Sequence, residues 1–191
     1  LIHVNGWTSP DQVVVGANIK LPHSHLKFER SNARVSHLSC TNAMRIESQK
    51  PVPLQTGTFL TEGTVVRIPA GCQVVLTLED ESTLRMVSGA LIRINTLRRH
   101  ILESALSVQM ELLDGRVSVG VPRRPANAKE MFEVRTPTSV AGVRGTEFRM
   151  AFDARSKESV IEVLTGAVRV RADQATEDQQ LLSQQGLVIS G

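Results

Sequence analysis

Hydrophobic and polar residues alternate in short runs along most of the chain, and a period of two predicts β-strands. In Val117-Ser118-Val119 and in Val168-Arg169-Val170 the apolar side chains sit two apart with a polar residue between them, as a half-buried strand requires. Similar runs at Val74–Leu78, Leu84–Val87, Val108–Leu112, Met131–Arg135 and Val160–Leu164 bring the expected number of strands to ten or more. Five segments share one form, a glycine followed by a short β-prone stretch, and begin at Gly63, Gly89, Gly115, Gly145 and Gly166. Their spacings of 26, 26, 30 and 21 residues suggest stacked supersecondary units, with each glycine at a turn where positive φ is cheap only for glycine. Thr96–Val108 also carries Leu97, Ile101, Leu102 and Ala105 at helical spacing, but the glycine period runs straight through it. Two strands joined by the basic turn Arg98-Arg99-His100 are therefore expected there. The fold class is all-β, with repeated short antiparallel strands in a sandwich or a β-solenoid-like arrangement, and the pattern leaves both open.

The punctuation divides the chain unequally. Residues 1–22 hold turn signals at Asn5-Gly6 and Ser9-Pro10-Asp11 around short apolar runs, and predict a small turn–strand–turn–strand unit. Residues 23–56 are polar and irregular and predict a connector. Residues 57–191 form the main β domain, with 172–185 as a surface loop and Leu187-Val188-Ile189 as a last short strand.

Composition narrows the function classes. Five Phe, one Trp and no Tyr make the aromatic share 3%, which argues against a base-stacking nucleic-acid surface. The net charge is +3 across 191 residues, and the basic residues are scattered, with short pairs only at Arg98-Arg99 and Arg123-Arg124. A solvated surface of mixed charge is expected, and no nucleic-acid partner. No run approaches the roughly 20 apolar residues a transmembrane helix needs. The chain starts without Met or a signal-peptide pattern, which reads as a processed boundary, so the lack of targeting information says nothing about location. Cys40 and Cys72 lack the spacing of a zinc site, and either form one disulfide outside the cytosol or stay as two buried thiols.

No signature of an enzyme is present: no nucleophile elbow, no HExxH helix, no phosphate-cradling glycine loop. His23 and His25 form an H-x-H pair without a third ligand, and Glu79-Asp80-Glu81 reads as a solvated hairpin tip. The expectation is a non-enzyme with no cofactor and no metal.

Two segments carry more information. Glu133–Met150 is a strand broken at Thr136-Pro137, a turn of small residues with Gly142 and Gly145, and a second strand ending in Phe148 and Met150. Thr136, Pro137, Gly142, Arg144, Gly145 and Glu147 are its candidate residues, either as an internal brace for a tight corner, with Arg144 and Glu147 paired, or as a partner-contact loop anchored by Arg144. The run Thr136-Pro137-Thr138 followed by Ala141-Gly142-Val143-Arg144-Gly145-Thr146-Glu147-Phe148 resembles the signature of the FecR domain family. The resemblance covers about residues 57–172. It implies an all-β envelope domain, and members of the family relay an outer-membrane iron-siderophore signal to a sigma factor. At the N-terminus, Val4-Asn5-Gly6, Pro10-Asp11 and the stretch Val13–Pro22 resemble the last half of a LysM module. That resemblance implies binding of peptidoglycan or another N-acetylglucosamine-containing glycan, with Asn5, Trp7, Pro10 and Asp11 as candidate contacts. Together the two imply a periplasmic or secreted protein of the bacterial cell envelope. It would be anchored to peptidoglycan, with a β domain for interaction or scaffolding and possible contact with another envelope protein. The alternative is a periplasmic sensor module of the sigma-regulator type.

Overall fold

The computed structural model describes residues 3–20, 28–47, 49–101, 105–123, 131–143, 145–173 and 175–191. Among these residues sixteen strands form one hydrogen-bonded network, organised by two long strands, β8 (Thr83–His100) and β9 (Ala105–Gly120). At about 3.3 Å per residue a straight strand of this length would far exceed the width of a small domain. The hairpin instead bends where its register shifts, between Val87 and Leu91 and again by Thr96, and each half enters a different layer.

In the first layer, the second half of β8 pairs with β6 (Val65–Arg67), which continues through β3 (Met44–Glu47) to β4 (Lys50–Pro53). β1 (Phe28–Arg30) lies along the last residues of β8, with the Arg98 guanidinium 4.3 Å from the centre of the Phe28 ring. The first half of β9 pairs with β10 (Met131–Arg135), then β11 (Ser139–Val143), β14 (Ala167–Ala172) and β15 (Gln179–Leu182). In the second layer, the first half of β8 pairs with β7 (Gln73–Leu78), which leads to β2 (Ala33–Leu38) and β5 (Phe59–Leu60). The second half of β9 pairs with β12 (Glu147–Asp153), then β13 (Glu158–Thr165) and β16 (Gly186–Ser190).

Strands in both layers bury alternate side chains: β14 of the first turns Val168 and Val170 inward, and β12 of the second turns Phe148, Met150 and Phe152 inward. These faces meet in one hydrophobic cluster, so the all-β expectation holds and its sandwich form is the one adopted. The core is built of Val, Leu, Ile and Met, with Phe148 its largest wholly buried side chain.

Several local readings differ. The strands are not all antiparallel, because β10 runs parallel to β9 with Met131 beside Ser107. Gly89 and Gly115 keep the expected positive φ but lie inside the two long strands rather than between short ones. A Cβ on Gly115 would stand 2.6 Å from the Ala90 Cα, so the bend in the hairpin needs bare backbone at this point. The expected connector supplies β1–β4; its polar residues alternate with Ala33 and Val35, which are wholly buried. Residues 3–20 hold two 3₁₀ turns, His3–Asn5 and Pro10–Gln12, and no strand among the described residues. Val13, Val14 and Val15 have no neighbouring strand there and stay exposed. β15 occupies part of the expected 172–185 loop, and β16 is the expected last strand.

Cys40 and Cys72 form a disulfide, with Cα atoms 5.6 Å apart at a sequence separation of 32. It closes the loop that carries β3–β6 onto the β2–β7 pair. No helix among the described residues is long and apolar enough to cross a membrane.

Candidate functional site

The signature stretch is split between the two ends of β11. At one end, the β10–β11 turn inserts hydroxyls between the layers. Thr136 Oγ1 lies 2.7 Å from Ser159 Oγ and 2.9 Å from Ser139 Oγ, and Thr138 Oγ1 lies 2.6 Å from Ser159 Oγ. Thr136 Oγ1 also accepts from the Ser139 backbone N–H at 3.0 Å. All four hydroxyl residues are buried, and Ser159 belongs to β13, so the cluster ties one layer to the other. Pro137 stands exposed at the tip, where the missing backbone donor removes no ladder bond.

At the other end the chain crosses from the first layer to the second between β11 and β12, and crosses back between β13 and β14. Gly145 has φ +61, and a Cβ there would stand 2.9 Å from the Arg123 Cα. The Gly166 crossing packs directly against it: a Cβ on Gly166 would stand 2.9 Å from the Gly145 carbonyl oxygen. The Thr146 hydroxyl bridges the two crossings by donating to the Ala167 carbonyl at 2.9 Å. Gly142 lies within β11 opposite Arg169. Arg144, and with it the expected Arg144–Glu147 pair, lies outside the described residues. Among the described candidate residues, Thr136 and Pro137 therefore lie at one end of β11 and Gly145 and Glu147 beyond the other, with Glu147 exposed on the outer surface.

Glu147 is part of a larger feature. The outward face of the second layer is a groove of about 1190 Å³ whose lining includes Thr83, Arg85 and Val87 of β8, Arg116, Ser118 and Gly120 of β9, Glu147, Arg149 and Ala151 of β12, and Val160 and Glu162 of β13. Ser118, Gly120 and Ala151 are its small lining residues on β9 and β12, set beside the longer Arg116, Glu147 and Arg149 of the same strands. Strand register sets the positions: Ser118 lies between Arg85 and Arg149, Arg116 lies between Val87 and Ala151, and Gly120 lies between Thr83 and Glu147. Arg149 approaches Glu162 at 3.9 Å, with both side chains well exposed. Arg85 and Arg116 have no carboxylate within 4 Å among the described residues. Sequence reasoning missed these arginines because they are far apart in the chain; alternation marked each as outward-facing, but only register brings them together.

The N-terminal unit is organised around Asn5. Its side chain accepts from the Lys20 backbone N–H at 2.5 Å and donates to the Lys20 carbonyl at 2.9 Å, closing the segment into a loop. The Ser9 hydroxyl caps the Pro10–Gln12 turn by accepting from the Asp11 N–H. Trp7 is half-buried, whereas Pro10 and Asp11 are exposed. His23 and His25 lie outside the described residues, and no group of three metal-ligating side chains occurs among those described.

Elsewhere, Glu62 accepts from the Arg98 Nε at 2.7 Å and from its Nη2 at 2.5 Å. That guanidinium holds the Glu62 carboxyl below the usual carboxylate range, against the opposing effect of burial. Asp153, at the β12–β13 turn, is likewise held low by accepting from the Arg155 and Ser156 backbone N–H groups.

The fold and signature agree with the comparisons to known proteins. Two solved structures of a proposed anti-sigma factor from Parabacteroides distasonis, at 2.50 and 1.65 Å resolution, share the fold with a TM-score of 0.53. They are 19% and 21% identical to this chain, and the match covers 66% of it and 54% of them, so the chain spans about half their length. No functionally curated protein sequence matches. The sequence profile described as FecR protein matches residues 64–169, more than half of the chain and the stretch that holds the long hairpin, both fastenings and the groove, and the chain belongs to the FecR protein family.

Proposed function

We propose that this chain is a non-enzymatic signal-transduction module of the bacterial cell envelope, acting outside the cytosol through contacts with other proteins. Family membership carries the reading. The likeness to a proposed anti-sigma factor supports the sensor-type role over the scaffold role first expected. The Cys40–Cys72 disulfide supports an oxidising compartment, since such bonds persist in the periplasm and outside the cell. The signature residues serve the fold, as hydroxyls and glycines that fasten the layers, which leaves the outer sheet faces for partners.

Deletion of the gene in the source organism, followed by transcript profiling, tests this. The expected result is a discrete set of altered transcripts, restored by supplying the exported protein. Unchanged transcripts would contradict it. Attachment to peptidoglycan through Asn5, Trp7, Pro10 and Asp11 rests on the sequence resemblance of the N-terminal unit. Co-sedimentation of the full-length protein with purified peptidoglycan tests that separately.

A further inference from the structure

The groove on the second layer has a charge pattern that follows the strand repeat. Arg116 marks one level. Two residues along β9, Ser118 is flanked by Arg85 and Arg149, and two further on Gly120 is flanked by Glu147. Successive levels are about 6.6 Å apart, the distance between same-face side chains of an extended chain. A segment lying along the groove therefore presents its i, i+2 and i+4 side chains to a basic level, a second basic level and an acidic level. The small lining residues Ser118, Gly120 and Ala151 give it room, and Val87 and Val160 add apolar surface. Arg85 and Arg116 have no carboxylate partner among the described residues, and Arg149 has a distant, exposed one, so little must be broken to engage them. Guanidinium groups favour carboxylates, with which they form paired hydrogen bonds.

We propose that this groove docks an extended segment of a partner protein carrying acidic side chains at i and i+2, set against Arg116 and the Arg85–Arg149 pair, with a basic side chain at i+4 against Glu147. This rests on the protein-contact reading above and names the chemistry of the partner.

The test is an NMR titration of the full chain with an acetylated, amidated peptide of sequence TETETKTT, and with TQTQTQTT as its neutral counterpart. The expected result is amide shifts confined to 83–87, 116–120 and 147–151 for the acidic peptide alone. Its affinity should fall about tenfold or more between 50 and 300 mM salt. The Arg85→Glu/Arg116→Glu variant should weaken binding at least about tenfold with an unchanged melting temperature. Arg169→Glu/Arg171→Glu, on the outer face of the other layer, should bind normally. An equal response to the neutral peptide, shifts elsewhere, or undiminished binding by the groove variant would overturn the proposal. The two readings fail separately. If the exported groove variant restores the transcript pattern in full, the groove is not the contact but the signalling reading stands. If deletion leaves transcripts unchanged while the acidic peptide binds as described, the signalling reading fails and the groove stands.

Discussion

The signature fastenings and the outer groove lie on neighbouring strands of one hydrogen-bonded network, yet their residues do opposite things. Thr136, Thr138, Ser139 and Ser159 are polar and buried, and their hydroxyls bond one another between the layers. Arg85, Arg116 and Arg149 are charged and exposed, and point away from the core. Buried hydroxyls are costly to orphan, whereas isolated surface charges contribute little to stability. The most recognisable residues should therefore control whether the protein folds, and the less recognisable ones what it touches.

The largest effects should come from breaking covalent and backbone constraints. Replacing Cys40 and Cys72 together with Ser frees a loop closed over a sequence separation of 32, and chain entropy puts the cost at about 3–4 kcal/mol. Urea unfolding of the variant beside the oxidised protein measures it. Gly145→Val combines a left-handed backbone with a clash against Arg123, and should cost about 3 kcal/mol. A melting temperature within a degree of the unchanged protein would show that the crossing adapts. Ser159→Ala removes the hydroxyl shared by Thr136 and Thr138, and should cost about 1–2 kcal/mol, read as a lower denaturation midpoint.

Away from both regions, Glu62→Gln provides a smaller calibration. The Glu62 carboxyl is held below its ordinary value of 4.5 by Arg98, so its stabilisation is present above that value and lost as the pH falls through the lowered one. The unchanged protein should exceed the variant by up to about 1 kcal/mol at neutral pH, with the gap closing in acid. A gap that does not close at any point on acidification would assign the effect to something other than the ionised pair.

What the sequence revealed follows the same division. Alternation at Val117–Val119 and Val168–Val170 identified strands because one face of each is buried. Pro137 and Gly145 marked the turns at the two ends of β11 because their backbone chemistry is local. The sequence did not reveal that strands expected on either side of Gly89 and Gly115 are continuous, since a bulge and a turn both favour glycine there. Nor did it reveal β2, whose short Ala33–Val35 pattern sits in a polar stretch. The groove was hidden for a stronger reason. Its arginines come from three strands, and their proximity is a product of register, which no local pattern contains.

The smallest expected effect on stability belongs to Arg85→Glu/Arg116→Glu, less than about 0.5 kcal/mol. Measuring this variant and Ser159→Ala in one series, by thermal melting and by titration with the acidic peptide, separates the two regions in a single experiment. Ser159→Ala should melt several degrees lower yet bind normally while folded, whereas the arginine variant should melt unchanged yet lose at least about tenfold in affinity. An arginine variant that melts early, or one that binds as well as the unchanged protein, would overturn the division between a signature that holds the fold and a face that makes the contact.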